Sequence, residues 1–158
     1  MTERETQFMH EALTLAEQAA AMGETPVGCV VVRGDVIVGR GHNRRETDHR
    51  ALAHAEMLAI DEACKSLRSW RLCGCELFVT LEPCPMCAGA IICARLERVH
   101  FGARDPKAGA LVSRIDLFEW GFNHRPEIRG GLLAERSARL LSGFFAARRA
   151  EKQPQTMQ

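Results

Sequence analysis

Residues 76–101, ELFVTLEPCPMCAGAIICARLERVHF, hold the strand–helix–strand unit from which the rest of the chain can be read. Residues 76–81 are rich in β-branched and aromatic side chains and predict a strand. Pro83 opens a short helix that runs to about Leu96, because proline suits a first helical turn, where its missing N–H has no intrahelical role. Val99, His100 and Phe101 predict the next strand, closed by Gly102. Towards the amino terminus, residues 54–67 predict a helix with Met57, Leu58, Ile60, Ala63 and Cys64 as its apolar side. Residues 42–53 are polar and aperiodic, a loop of the kind that carries function. Residues 27–32 and 36–41 are two β-branched runs joined at Gly34-Asp35, a hairpin signal. Residues 5–22 place Phe8, Ala12, Leu15, Ala19 and Met22 at steps of three and four, an amphipathic helix ended by Gly23.

Towards the carboxy terminus, residues 103–125 are irregular, with a short helix expected at 111–118, and stretches of that length in compact domains tend to be functional. A brief fifth strand is expected at 127–129. Gly130-Gly131 then introduces a helix over 132–149, whose apolar positions Leu133, Leu140, Leu141, Phe144 and Phe145 alternate with arginines. Alternating strands and helices predict a layered α/β fold, with residues 1–150 as a single domain and 151–158 as a polar, frayed tail.

The chain has 158 residues, 46% hydrophobic and 26% charged, which excludes a disordered, collagenous or membrane-dominated protein. Its longest apolar stretches fall well short of a bilayer span. The opening residues, MTERETQFMH, lack the apolar core of a signal peptide, and seven cysteines, an odd number, argue for reduced thiols. The expected compartment is therefore the cytoplasm. Net charge is +1, but residues 1–24 hold five acids against one arginine, net −4, and residues 121–158 hold seven bases against three acids, net +4. Such a basic end suits phosphates, or is a set of solvated helix faces.

Two segments carry the chemistry: His54-Ala55-Glu56 at the start of one expected helix and Pro83-Cys84-Pro85-Met86-Cys87 at the start of another. Cys84 and Cys87, at i and i+3, share a helix face, and a helix N-terminus favours the thiolates that bind zinc. With His54 they make three ligands, the count of a catalytic zinc that leaves its fourth position to water. Glu56 cannot point the same way as His54 along a regular helix. It is placed to serve as the proton shuttle that activates the water and returns protons to a leaving nitrogen. Cys73 and Cys75 offer a competing four-thiolate structural site, and a non-enzymatic zinc-stabilised module is the reading from another class. A base poised beside an open position has no use in either. Cys29, Cys64 and Cys93 read as small buried hydrophobes, and Cys73 and Cys75 read the same way.

These motifs resemble the cytidine-deaminase-like zinc deaminases. Within them, Glu24-Thr25-Pro26-Val27-Gly28, Gly41-His42-Asn43-Arg44, Leu81-Glu82-Pro83-Cys84, Phe101-Gly102-Ala103-Arg104-Asp105, Asn123-His124-Arg125 and Leu140-Leu141-Ser142-x-Phe144-Phe145 resemble the bacterial tRNA-specific adenosine deaminase family. The resemblance covers about residues 5–150. It implies a three-layer α/β/α fold around a central mixed five-stranded sheet, one Zn²⁺ per subunit, and a homodimer. It also implies hydrolytic conversion of the wobble adenosine, position 34, of an arginine tRNA to inosine. By the same resemblance Asn43 and the backbone around Ala55 and Cys84 hold the flipped nucleoside, Asp105 and Lys107 hold the flanking nucleotides, and Asn123, His124, Phe144, Phe145 and Arg148 lie near the anticodon loop. Leu111 and Val112 depart from the small residues usual in the family, and the 118–121 segment is one residue shorter than in some members.

A zinc deaminase of free guanine or cytosine would share the metal centre, so the metal ligands do not choose between substrates. The phenylalanines and arginines of the last helix, with residues 101–107, favour single-stranded RNA, which is bound by base stacking and phosphate-facing cations. Ile91, Ile92, Leu96, Leu111, Ile115, Leu117, Phe118 and Trp120 together offer more apolar surface than a small monomer easily hides, which supports the two-fold dimer.

Overall fold

The computed structural model describes residues 1–152. It contains helices α1 (Glu3–Ala21), α2 (Ala55–Leu67), α3 (Pro85–Cys93) and α4 (Ala134–Lys152). Its strands are β1 (Gly28–Arg33), β2 (Val36–His42), β3 (Cys75–Leu81), β4 (Arg98–Ala103) and β5 (Glu127–Gly130). The strands form one mixed sheet in the order β2-β1-β3-β4-β5. β1 is antiparallel to both β2 and β3, whereas β3, β4 and β5 run parallel.

This topology brings several strand ends to one edge. β3 and β4 finish there because they are parallel, and antiparallel β1 begins there, with its Gly28 N–H donating to Thr80 Oγ1 at 3.2 Å. Gly28 pairs with His42, so β2 finishes at the same edge. The segments that leave it, 43–54, 82–87 and 104–108, carry the residues singled out from the sequence.

The two faces of the sheet bury separate cores, giving three layers. Val30, Val32 and Phe78 face Phe8, Met9, Ala12 and Leu13 of α1, with Leu132 at the entry to α4. Cys29, Val31, Leu77, Val79, Val99 and Phe101 face α2 and α3. Among the close approaches that demand glycine, a Cβ on Gly28 would lie 1.9 Å from the Ala12 carbonyl oxygen, and one on Gly41 2.3 Å from that of Ala55. The second lets the first turn of α2 rest directly on β2.

The structure shifts several expectations. α1 begins at Glu3 because Thr2 and Glu5 form a capping box. Its buried face runs through Met9, Leu13 and Ala16, whereas Leu15 is half-buried and Met22 exposed. α2 buries Ala55, Glu56, Ala59, Ile60 and Ala63, leaving Met57, Leu58 and Cys64 half-buried. α3 starts at Pro85 rather than Pro83, since Cys84 is the N-cap, and ends at Cys93. Gly102 continues β4 instead of closing it, and Ser137 of α4 packs against the space a side chain there would fill. The helix expected at 111–118 is replaced by turns and a short 3-10 segment, Leu117–Trp120, capped by Asp116. α4 starts at Ala134, and Glu151 and Lys152 continue it. The rest of the expected frayed tail, 153–158, lies outside the described residues. Cys29 and Cys75 are buried as expected, but Cys64 is half-buried and Cys73 and Cys93 are exposed at element ends.

Candidate active site

His54 and Cys84 are the N-cap residues of α2 and α3, both in extended backbone and neither capping its helix with its side chain. Their side chains are therefore free to turn towards each other. His54 Nδ1 lies 3.7 Å from Cys84 Sγ and 3.6 Å from Cys87 Sγ. The three donor atoms all fall within 4.8 Å of one another. A tetrahedral zinc with ordinary Zn–S and Zn–N bonds needs its nitrogen and sulfur ligands about 3.6 Å apart, so the donor set fits the ion.

The electrostatics point the same way. The Cys84 thiol is lowered to about 4, first by the hydrogen bond from the Cys87 thiol, with burial opposing and His54 helping. Cys87 is pushed far up because it donates that bond and is buried. His54 is raised, above all by its hydrogen bond to Cys84. The Cys87 proton and the His54 ring thus hold the three donor atoms together. A divalent cation would take over that role.

Glu56, in the first turn of α2, is 4% exposed. Burial pushes its carboxyl up; its own backbone N–H pulls it down and the Cys84 sulfur raises it again, with a net upward shift. A carboxyl shifted this way takes up a proton more readily than an exposed one. His54, Glu56 and Cys84 line a cleft of about 550 Å³, with Asn43, Ala55, Thr25, Val27 and Leu81 on one side and residues 104–108 on the other. Phe145 and Leu141 of α4 close its mouth.

Residues 2–103 match the family described as the cytidine and deoxycytidylate deaminase zinc-binding region. The chain is 51% identical over 146 residues to the tRNA-specific adenosine deaminase of Bacillus subtilis (strain 168), covering 92% of this chain and 91% of that protein. It belongs to the tRNA-specific adenosine deaminase family. A second member, from Streptococcus pyogenes serotype M1, is 44% identical over 151 residues, 95% of this chain and 88% of that protein. A solved structure from work on A-to-I editing by tRNA:A34 deaminases superposes with a TM-score of 0.84 at 42% identity, covering 86% of this chain and 99% of that one.

In this deaminase the remaining residues expected at the site divide into three groups. Asn43 sits in the cleft wall, where its side-chain N–H donates to the Thr25 carbonyl at 3.2 Å and its Oδ1 accepts from the Arg45 N–H at 3.1 Å. Those bonds fix its plane and leave a second N–H to offer. Asp105 and Lys107 are in the opposite wall, but Asp105 Oδ1 accepts from the backbone of Lys107 and Ala108, folding its own loop. Phe145 is 44% exposed at the cleft mouth, while Phe144 is half-buried beside it, edge-on with ring centroids 5.5 Å apart.

Arg148 lines the hollow beside the cleft and is also tied within the chain. Its guanidinium donates to the Gly23 carbonyl and lies over the Phe144 ring at 5.0 Å, so it ties α4 to the end of α1. Asn123 and His124 do not line this cleft. β5 is parallel to β4, so the residues that enter β5 lie beside the start of β4, at the far end from the site. There His124 Nε2 meets the Leu96 carbonyl at 2.6 Å.

The structure adds residues that motif reading passed over. Arg45 and Arg104 line the cleft, and Arg149 and Lys152 join Lys107, Phe145 and Arg148 around an adjoining hollow of about 320 Å³. Glu24 and Glu82 are buried carboxylates bound to backbone N–H groups of the flanking segments. Both stand within quoted motifs, but their partners are backbone amides, which leave no trace in a sequence.

Proposed function

We propose that the chain deaminates adenosine at the wobble position, 34, of tRNA to inosine, with an arginine tRNA as substrate. The observation that carries this reading is the continuity of one surface. His54, Cys84 and Glu56, with Cys87 buried beside the first two, form the floor of a cleft that Arg45, Arg104 and Lys107 also line and that runs into the exposed Phe145, Arg149 and Lys152. A free base would need the floor alone, whereas an RNA loop uses the ring and the cations around it.

His54, Cys84 and Cys87 would hold the zinc, which when bound supplies a Lewis acid that lowers the pKa of a water. Glu56 takes the proton of the attacking water and returns protons to the adenine ring nitrogen and the departing amine, so that ammonia leaves and the C6 oxygen of inosine remains. Asn43 and the backbone at Ala55 and Cys84 orient the base, and Asp105 and Lys107 contact the flanking nucleotides. Asn123 and His124 are given no part in this chain's own cleft.

We further infer a single catalytic domain over residues 1–150, a cytoplasmic enzyme and a two-fold homodimer. No described helix is long and apolar enough to cross a membrane. The surface argument for the dimer changes with the structure: Ile91, Ile92, Leu96, Leu111 and Phe118 are buried within the chain and Leu117 is half-buried. What stays exposed on that side is Val112, Ile115, Trp120 (69% exposed) and Phe122. Dimerisation would cover that patch, and light scattering should then give about twice the mass of one chain.

The test of function is incubation of the zinc-loaded protein with total tRNA, sequencing for inosine, beside assays on free guanine and cytidine. Inosine at position 34 is expected. Turnover of a free base with no inosine in tRNA would move the assignment to small-molecule deamination.

A further inference from the structure

Glu82 closes β3 immediately before the Pro83–Cys84 turn, and its side chain is 2% exposed. Oε1 accepts from the Asp105 N–H at 3.1 Å and from the Ser113 hydroxyl. Oε2 accepts from three successive N–H groups, those of Leu111 (3.2 Å), Val112 and Ser113 (both 2.9 Å). One carboxylate thus gathers four backbone donors and a hydroxyl from a segment that is distant in sequence and has no helix or strand of its own at these positions. Charge-assisted bonds to backbone N–H are among the stronger hydrogen bonds, and a buried carboxylate left without them is costly.

The segment is shaped around this carboxylate. A Cβ on Gly109 would lie 2.3 Å from Glu82 Oε2 and 2.4 Å from its Cδ, so residue 109 must lack a side chain for Glu82 to sit where it does. The front of the same segment, Asp105, Pro106, Lys107 and Ala108, walls the cleft opposite Asn43.

We propose that Glu82 is a positioning residue: it fixes the 105–113 segment against the Pro83–Cys84 turn, and so sets the distance between the substrate-holding wall and the metal-binding floor. Glu82 acts through Asp105 and Lys107, not on the reacting atoms. The catalytic consequence rests on the tRNA reading above, whereas the hold on the segment does not depend on it.

The experiment compares zinc-loaded wild type with Glu82→Gln and Gly109→Ala by zinc content, amide hydrogen exchange, and kcat and KM on an anticodon stem-loop. Glutamine keeps the volume but turns an amide N–H towards backbone donors. Alanine at 109 leaves Glu82 in the chain but crowds both its carboxylate and, at 2.6 Å, the Asp105 carbonyl oxygen, so it marks what displacement of the segment looks like beside Glu82→Gln. Both variants should keep one zinc per chain and show faster exchange confined to 105–113. Both should raise KM about tenfold or more, because small displacements of positioning groups have large effects, and change kcat far less. A general structural role would instead speed exchange throughout and lower kcat with KM unchanged. Exchange at 105–113 equal to wild type in both variants, or an unchanged KM, would overturn the proposal. If Glu82→Gln does not fold, Gly109→Ala carries the test together with Ser113→Ala, which removes the hydroxyl donor alone and should give a smaller shift in the same direction. A wild type that deaminates no stem-loop would sink the tRNA reading, and the exchange data would still decide whether Glu82 holds the segment.

Discussion

Glu56 and Cys84 sit in one cleft but should fail in different ways when replaced. Glu56→Gln removes a proton carrier and no metal donor, so zinc should stay at one per chain while turnover falls by about 10²- to 10⁴-fold. Cys84→Ala removes a bond and a neutralising charge together, so zinc itself should be lost. Metal analysis beside an inosine assay separates the two, and zinc retained without Cys84 but lost without Glu56 would reverse the assignment. These residues were legible in the sequence because each stands at or near a helix start, where residue type and spacing already fix direction. Glu24 and Glu82 were not, since their partners lie 22 to 31 positions away and are identified only by the fold.

α4 shows what a helical pattern can and cannot reveal. Its leucines and phenylalanines predict a helix correctly, yet Ser137 is its one buried residue among those described, and the arginines that suggested phosphate contacts are partly spent on α1. Arg136 reaches Glu17 at 3.3 Å and His10 at 2.7 Å, Arg129 just before the helix reaches Glu5 at 2.9 Å, and Arg148 reaches the Gly23 carbonyl. Two of the five acids at one chain end, Glu5 and Glu17, are thus paired with two of the seven bases at the other. On the proposed function, RNA contact would fall chiefly to Phe145, Lys107, Arg149 and Lys152, around the hollow that Arg148 also lines. Phe145→Ala should cost about 1–3 kcal/mol of RNA affinity if the ring stacks on a base. Each of Lys107→Ala and Arg149→Ala should flatten the slope of log affinity against log salt by about 0.7. Arg148→Ala should lower the melting temperature and leave that slope as it is. Binding of an anticodon stem-loop across a salt series checks all four, and slopes identical to wild type would remove the phosphate role.

Across the whole molecule, one half-buried network links α1 with β3 and β4. His100, stacked on Phe78 with ring centroids 4.2 Å apart, donates to Glu76 at 2.7 Å, and Arg4 and Arg98 reach the same carboxylate at 3.1 and 3.3 Å. Burial pushes Glu76 up, but the His100 hydrogen bond and the Arg4 charge outweigh it, and its pKa is lowered from 4.5. Burial lowers His100 from 6.5, opposed by Glu76. In both cases the unfolded chain binds protons more readily, so stability rises with pH through these windows and is lost on acidification. Glu76→Gln should cost about 1–3 kcal/mol at pH 7, roughly 2–10 °C in melting temperature for a chain of this size. The gap should start to narrow below pH 4.5, where the unfolded carboxylate protonates, and close as pH falls through the lower pKa of the folded one. A gap independent of pH in thermal melts would show that the carboxylate's ionisation is not what matters.

The sheet order also ties the metal site to folding. β1 finds β2 through a two-residue turn, but it finds β3 only after the chain has run through β2, the loop and α2. His54 lies on one side of that long-range pairing and Cys84 and Cys87 on the other. Closing such a loop is the slow, entropically costly part of building a sheet. An ion held by all three donors would close a loop overlapping the one that β1–β3 pairing closes, so metal binding and strand register should each stabilise the other.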